Sequence, residues 1–309
     1  MSNMKEIKNR IKSVRDTQKI TNAMYLISST KMRKAKKEHD GTKPYFEMVA
    51  HEIKRIFRTD SKIQSRYFFP ENNKEDLQGT YAYLVISADK GLAGAYNHNV
   101  MKEALKVISK HEDRKVFVVG EVGRRFLTAH KIDIEQSFLY TAQNPTLSRA
   151  REITDILLDL YDNGDVSKLY VVYTDFKSSF SEEATAIRLL PFHKADLLKE
   201  LPPWEKEVKT PFEFMPSAED VLDNSIRSYV LGIIYGALVE SYCSEQNARM
   251  NAMDSANKNA EGLLGDLSIQ YNHTRQSIIT QEITEVSAGA KAMRKKRMQK
   301  AAKMKEVQG

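Results

Sequence analysis

Along residues 1–40, side chains of one face return at alternating steps of three and four. Ile7, Ile11, Val14, Thr21, Tyr25 and Ser28 lie on that spacing, and Gln18 fills a slot where an apolar residue belongs. No glycine or proline interrupts the stretch, so it predicts one amphipathic helix. Gly41 and Pro44 then punctuate the chain. Proline is tolerated in the first turn of a helix, so PYFEMVAHEIKRIF is expected to resume as helix after a kink. Residues 58–79 read as a linker. Near the other end, Ser217 precedes Asp220 by three residues, directly after Pro216, in the form of a capping box. No proline follows. Apolar positions recur as Leu222, Ile226, Tyr229, Ile233 and Ala237, then more sparsely as Ala248, Ala252, Ala256, Leu263, Leu267, Tyr271 and Ile278. A helix over 217–293 would be ~115 Å long at ~1.5 Å per residue. A globular domain cannot bury that length, so this helix is expected to pack along the N-terminal one.

Between these ends the period changes. YAYLVISAD and KVFVVGE are short β-rich runs, each followed by an amphipathic helical stretch (VMKEALKVISKHE and VGRRFLTAHK). A third helical pattern, LSRAREITDILLDLYDNG, leads into SKLYVVYTDF and EEATAIRLLPF. Strand–helix alternation of this kind predicts an α/β domain with a mostly parallel sheet. The expected organisation is an N-terminal helix (1–57), a linker (58–79), an inserted α/β domain (80–215), a C-terminal helix (216–293) and a basic extension (294–309).

Charge sharpens this picture. The 309 residues carry a net +7, but residues 1–37 hold eleven Lys/Arg against Glu6 and Asp16, and residues 288–309 hold eight against Glu306. The ends alone exceed the total, so the middle is acidic and the basic ends ask for an acidic partner. The single cysteine, Cys243, excludes an intramolecular disulfide and a multi-thiolate metal site. The N-terminus reads as neither a signal nor a transit peptide. The longest apolar stretch, Tyr229 to Val239, has 11 residues, about half of the ~20 a bilayer requires.

The most tempting motif is Asp89-Lys-Gly-Leu-Ala-Gly94, a glycine-bearing loop between a strand and a helix, where α/β folds cradle phosphate. Its Gly-x-x-Gly spacing matches neither GxGxxG nor GxxxxGK[ST], so the reading is a tight turn that displays Lys90 outward. The seven histidines are scattered without metal-ligand spacing. Cys243 sits in an apolar helical stretch and reads as a buried small hydrophobe. No serine is framed by GxSxG. No catalytic residues, metal or cofactor are expected. What remains unusual is ARMNAMDSANKNAEGLLGDLSIQYNHTRQSIITQEITEVSAGA, which carries Ala, Asn, Ser and Thr where a coiled-coil seam wants Leu. Small and polar side chains make a shallow surface suited to several neighbours in turn.

That segment and KEIKNRIKSVRDTQKITNAMYLISSTKMRKA closely resemble the terminal helices of the γ subunit of F-type ATP synthase, and Asp89-Lys-Gly-Leu-Ala-Gly-Ala-Tyr-Asn97 looks like that family's middle-domain loop. The resemblance covers nearly the whole chain. It implies a central rotor without catalytic chemistry of its own. The terminal helices would form an antiparallel left-handed coiled coil inside a ring of α and β subunits. The inserted domain, Rossmann-like, would sit against the ε subunit and the c-ring of Fo. It further implies a peripheral place on the cytoplasmic face of a bacterial cell membrane, reached only through the complex.

Carried over residue by residue, the resemblance makes Met24, Lys90, Arg249, Arg275, Gln276, Thr280 and Glu282 the contacts with the αβ ring. Members of the family often end soon after the segment matching Ser287-Ala-Gly-Ala290, whereas this chain continues with KAMRKKRMQKAAKMKEVQG, ~28 Å more if helical, which is expected to fray. The competing reading, a basic coiled-coil adaptor for nucleic acid or an anionic membrane surface, accounts for the charge. It does not account for the small-residue helix, and only Tyr25 precedes residue 44 as a base-stacking aromatic. No nucleic-acid partner is therefore expected.

Overall fold

A computed structural model describes residues 4–59, 63, 65–69, 79–178, 181–194 and 213–306. Most of the linker expected at 58–79, and residues 307–309 of the basic extension, lie outside the described residues. In chain order the elements are α1 (Met4–Thr59), β1 (Tyr81–Ile86), α2 (Tyr96–Ile108), β2 (Arg114–Val119), α3 (Glu121–Ala129), α4 (Leu147–Asp162), β3 (Lys168–Ser178), β4 (Ser181–Leu190) and α5 (Ala218–Glu306). The chain forms two compact units, one of Met1–Met24 with Met253–Gly309 and one of Tyr25–Ala252.

In the first unit, the α1 side chains turned inward are Ile7, Ile11, Val14, Gln18 and Thr21, the three-four spacing seen in the sequence. They meet a thin seam on α5 made of Met253, Ala260 and Leu267, with Leu264 half-buried. Gln18 Nε2 donates to Glu261 Oε1 at 3.5 Å, and Thr21 Oγ1 donates to Asn257 Oδ1, so partner numbers fall along α5 as they rise along α1. Leu263, expected in the seam, is half exposed; Leu264 takes the inward place beside it. The seam follows Ala260, Leu264 and Leu267 at a three-four spacing, and Leu263 falls one residue off it.

The second unit is built on a four-stranded sheet in the order β2-β1-β3-β4. β1 pairs in parallel with β2 and with β3, and β4 closes the edge antiparallel to β3. Alternate residues of β1 feed opposite cores. Tyr83 and Val85 pack with Val100, Met101, Ala104, Ile108 and Leu127 from α2 and α3. Ala82, Leu84 and Ile86 pack toward α4 and the long helices, where Ile53, Ile56, Leu157, Leu222, Ile226, Val230 and Ile234 are fully or nearly fully buried. Both faces are covered, which is why the parallel strands read as unbroken apolar runs.

Here too α1 and α5 meet residue by residue. Cys243 Sγ donates to Met32 O at 3.9 Å, the His39 and Tyr235 rings lie 5.9 Å apart, and Phe46 covers Gly232. A Cβ on Gly232 would fall 2.5 Å from the Phe46 ring, so this glycine permits the close approach. α1 runs as one helix through Gly41 and Pro44, where the sequence predicts punctuation before the helix resumes. The loss of one backbone hydrogen bond at Pro44 is offset by burial of Ile53, Ile56 and Phe57 in the turns that follow. The expected start of α5 is present: Ser217 Oγ accepts from Asp220 N at 3.1 Å and donates to Asp220 Oδ2 at 2.6 Å. At its other end α5 extends as helix to Glu306, in keeping with an extension rich in Ala, Lys, Arg, Met and Gln that holds no glycine before residue 309.

Candidate functional site

The loop from Asp89 to Gly94 is fastened at three points. At its root, Ser87 Oγ donates to Val119 O at 3.0 Å and accepts from Gly123 N at 3.0 Å, tying the end of β1 to the start of α3. A Cβ on Gly120 or Gly123 would fall within 2.5 Å of Ser87 atoms, so glycine is required at both. The Asp89 carboxylate is the second point. It accepts from Glu121 N at 3.2 Å, Ala142 N at 3.1 Å and Gln143 N at 3.2 Å, and from Thr141 Oγ1. These are the amides an anion would seek at the C-terminal ends of parallel strands, and the chain's own carboxylate occupies them.

Arg249 of α5 is the third point. Its Nη2 donates to Gly91 O at 3.1 Å and lies 3.5 Å from Lys90 O, and the same nitrogen is 2.7 Å from Glu245 Oε1. Asn97 adds a brace, accepting from Ala88 N at 3.1 Å and donating to Lys90 O at 3.5 Å. So held, the loop carries Leu92 in the left-handed region (φ 62°) and turns both Lys90 and Leu92, the latter 66% exposed, to solvent. The structure brings Lys90 and Arg249 together, but differently: Lys90 is displayed, while Arg249 is only 9% exposed.

Around Arg249, α5 is buried on every side from Ser241 to Arg249, and six of those nine residues are polar or charged: Ser241, Ser244, Glu245, Gln246, Asn247 and Arg249. Thr174 N donates to Ser241 Oγ at 3.2 Å. Burial raises the Tyr96 phenol, and it raises the Glu182 and Glu245 carboxyls, the latter against the pull of Arg249. One turn back, burial pushes Glu240 up to about 7, helped by Asp175 and opposed by Lys43. Cys243 is buried as expected, its thiol pushed up to about 11 by desolvation. The hub residues Asp89, Asn97 and Glu245 were not among the expected site residues. Two signals bear on them: Asp heading a glycine loop after a strand, and Glu245 paired at i,i+4 with Arg249 just after the apolar run of Tyr229 to Val239.

The remaining expected contacts lie in the first unit. Met24 is half-buried on α1. On α5 the seam stops at Thr274, and every described side chain from Arg275 to Met298 is exposed. At 100° per residue, Arg275 and Glu282 share one face, and Gln276 and Thr280 another. Between the two faces runs a stripe of Ile279, Ile283 and Val286, respectively 46%, 61% and 73% exposed. These apolar side chains, spaced i, i+4, i+7, have no cover among the described residues, the kind of surface that another molecule can bury. Among the described residues no group of three His, Cys, Asp or Glu side chains could hold a metal, and no helix is long and apolar enough to cross a membrane.

The profile of the protein family described as ATP synthase matches residues 3–293. The ATP synthase gamma chain of Acetivibrio thermocellus is 42% identical over 298 residues, covering 95% of this chain and all of the relative. A sodium ion specific ATP synthase gamma chain from Acetobacterium woodii is 34% identical, covering 94% of this chain and 99% of the relative. Among solved structures, a central stalk and c-ring structure of the Tetrahymena thermophila mitochondrial ATP synthase contains a chain with the same fold. Its TM-score is 0.54 at 20% identity, covering 77% of this chain and 99% of that one.

Proposed function

The chain belongs to the ATP synthase gamma-chain family, and from that premise we propose how it works as the central rotor subunit of an ATP synthase. The observation that carries the proposal is the end of α5, where a stripe of isoleucine and valine flanked by Arg275, Gln276, Thr280 and Glu282 has no covering element among the described residues. In this reading the shaft is an antiparallel, left-handed coiled coil of the 1–57 and 216–293 helices. The inward positions of α1 keep a 3.5-residue period, shorter than the 3.6 of a straight helix, which imposes a left-handed supercoil. The 80–215 segment, joined through 58–79, is a Rossmann-like domain that meets the ε subunit and the c-ring. The 294–309 segment lengthens the α5 end.

Met24, Lys90, Arg275, Gln276, Thr280 and Glu282 serve the contact with the α and β subunits, Lys90 toward an acidic loop of β, and Arg249 serves it from within the chain, where it is bonded to the loop that carries Lys90. ATP is made or hydrolysed on the surrounding subunits, not on this chain. A rotor alters nucleotide affinity only if its faces make different contacts with each β subunit. α5 supplies such unlike faces: the apolar stripe, the Arg275/Glu282 edge and the Gln276/Thr280 edge. Attachment to the cytoplasmic face of a bacterial membrane runs through the complex. The test is to tag the chain in its native cell and purify it. Recovery with larger α and β subunits and with ATPase activity supports the rotor; recovery alone, or with nucleic acid and without that activity, overturns it.

A further inference from the structure

We infer that Arg249 is a positioning residue for Lys90: clamped by the buried Glu245 carboxylate, its guanidinium holds the carbonyls of the 89–94 loop and sets where the Lys90 ammonium stands before an acidic partner surface. This rests on the reading of Lys90 as a contact with the β subunit. It assigns Arg249 a role exerted through the loop rather than by touching that subunit.

Arg249 is poorly placed to reach a partner directly. Its side chain is 11% exposed and that of Glu245 4%, and one nitrogen, Nη2, faces Glu245 Oε1, Gly91 O and Lys90 O together. A charge-assisted bond to a carboxylate shielded from water is strong and directional, so the guanidinium cannot swing outward without stranding a buried acid. The loop in turn needs the clamp. Leu92 sits at φ 62°, a conformation that a branched residue keeps only when its surroundings enforce it. Gly94, at φ 51°, lies against α5 with room for a Cβ 3.9 Å from Ala248 O. Asp89 fixes one end of the loop and Asn97 its inner side. Arg249 is the attachment that joins it to α5, so the Lys90 tip keeps a fixed bearing on that helix.

Two measurements test this. Hydrogen exchange on the purified full-length chain should show the amides of Gly91 to Tyr96 opening about 10-fold or more faster in Arg249→Ala, the loss of a charge-assisted bond. Amides of α4 should keep their rates. Arg249→Lys, which keeps the charge but not the fork, should fall between the two. Glu245→Gln, which keeps the shape of the pair, should loosen the same amides to a smaller degree and serves if Arg249→Ala fails to fold. In the assembled complex, ATP-driven ion pumping per ATP hydrolysed should fall in Lys90→Ala and in Arg249→Ala, and the double variant should be no worse than the poorer single one. Unchanged loop exchange, or single effects that add in the double variant, would overturn the inference and place Arg249 directly at the partner. If the chain does not assemble with α and β subunits at all, the rotor reading fails while the exchange measurement still reports on the clamp.

Discussion

Two stretches of the same helix invert the usual rule of burial. From Ser241 to Arg249, α5 is polar and buried; from Ile278 to Val286 it carries three isoleucines and a valine and is exposed. In the first stretch the polar groups hold a loop and a sheet edge in place, through Arg249 on Gly91 and Ser241 on Thr174. In the second, apolar side chains have nothing among the described residues to cover them. Residue type alone therefore does not say which part of a helix is core. A buried polar stretch specifies one arrangement, and an exposed apolar one waits for a partner.

The contrast can be broken most sharply at its buried side. Ile234→Ala, at a fully buried position on α5, should cost about 2–5 kcal/mol in chemical denaturation of the isolated chain. Gly232→Ala, which drives a Cβ into the Phe46 ring, should cost about 1–3 kcal/mol by the same assay and lower the thermal midpoint. Neither change touches the exposed stripe, so a loss of partner assembly would follow stability and not precede it.

A subtler test uses Glu240, whose folded value of about 7 lies above the ordinary 4.5. The native state therefore holds that proton more tightly than the unfolded one. The stability this confers at low pH is lost as pH rises from about 4.5 to about 7. Glu240→Gln cannot ionise, so its thermal midpoint relative to the parent should rise between pH 5 and pH 8; a constant difference would show that Glu240 titrates as an ordinary carboxylate. The smallest effect on folding belongs to the stripe. Ile283→Ala should change the stability of the isolated chain by no more than about 0.5 kcal/mol while weakening recovery of the α and β subunits. A large loss of stability would mean the stripe is covered within the chain.

Much of this was readable before any coordinates. The three-four spacing of α1, the Ser217–Asp220 start of α5, the strand–helix alternation and the outward Lys90 all follow from local periodicity and turn chemistry, which neighbouring residues largely determine. The resemblance to the γ family rests on long linear motifs for the same reason. Tertiary structure decided what depends on residues far apart in sequence. Pro44 does not break α1 because packing several turns away offsets its lost hydrogen bond. Leu264 rather than Leu263 faces the seam because the partner helix sets the phase. Arg249 points into the molecule because Glu245, four residues behind it, and a carbonyl 158 positions earlier meet it there. Local patterns carry the period of a helix, but only packing says what its faces touch.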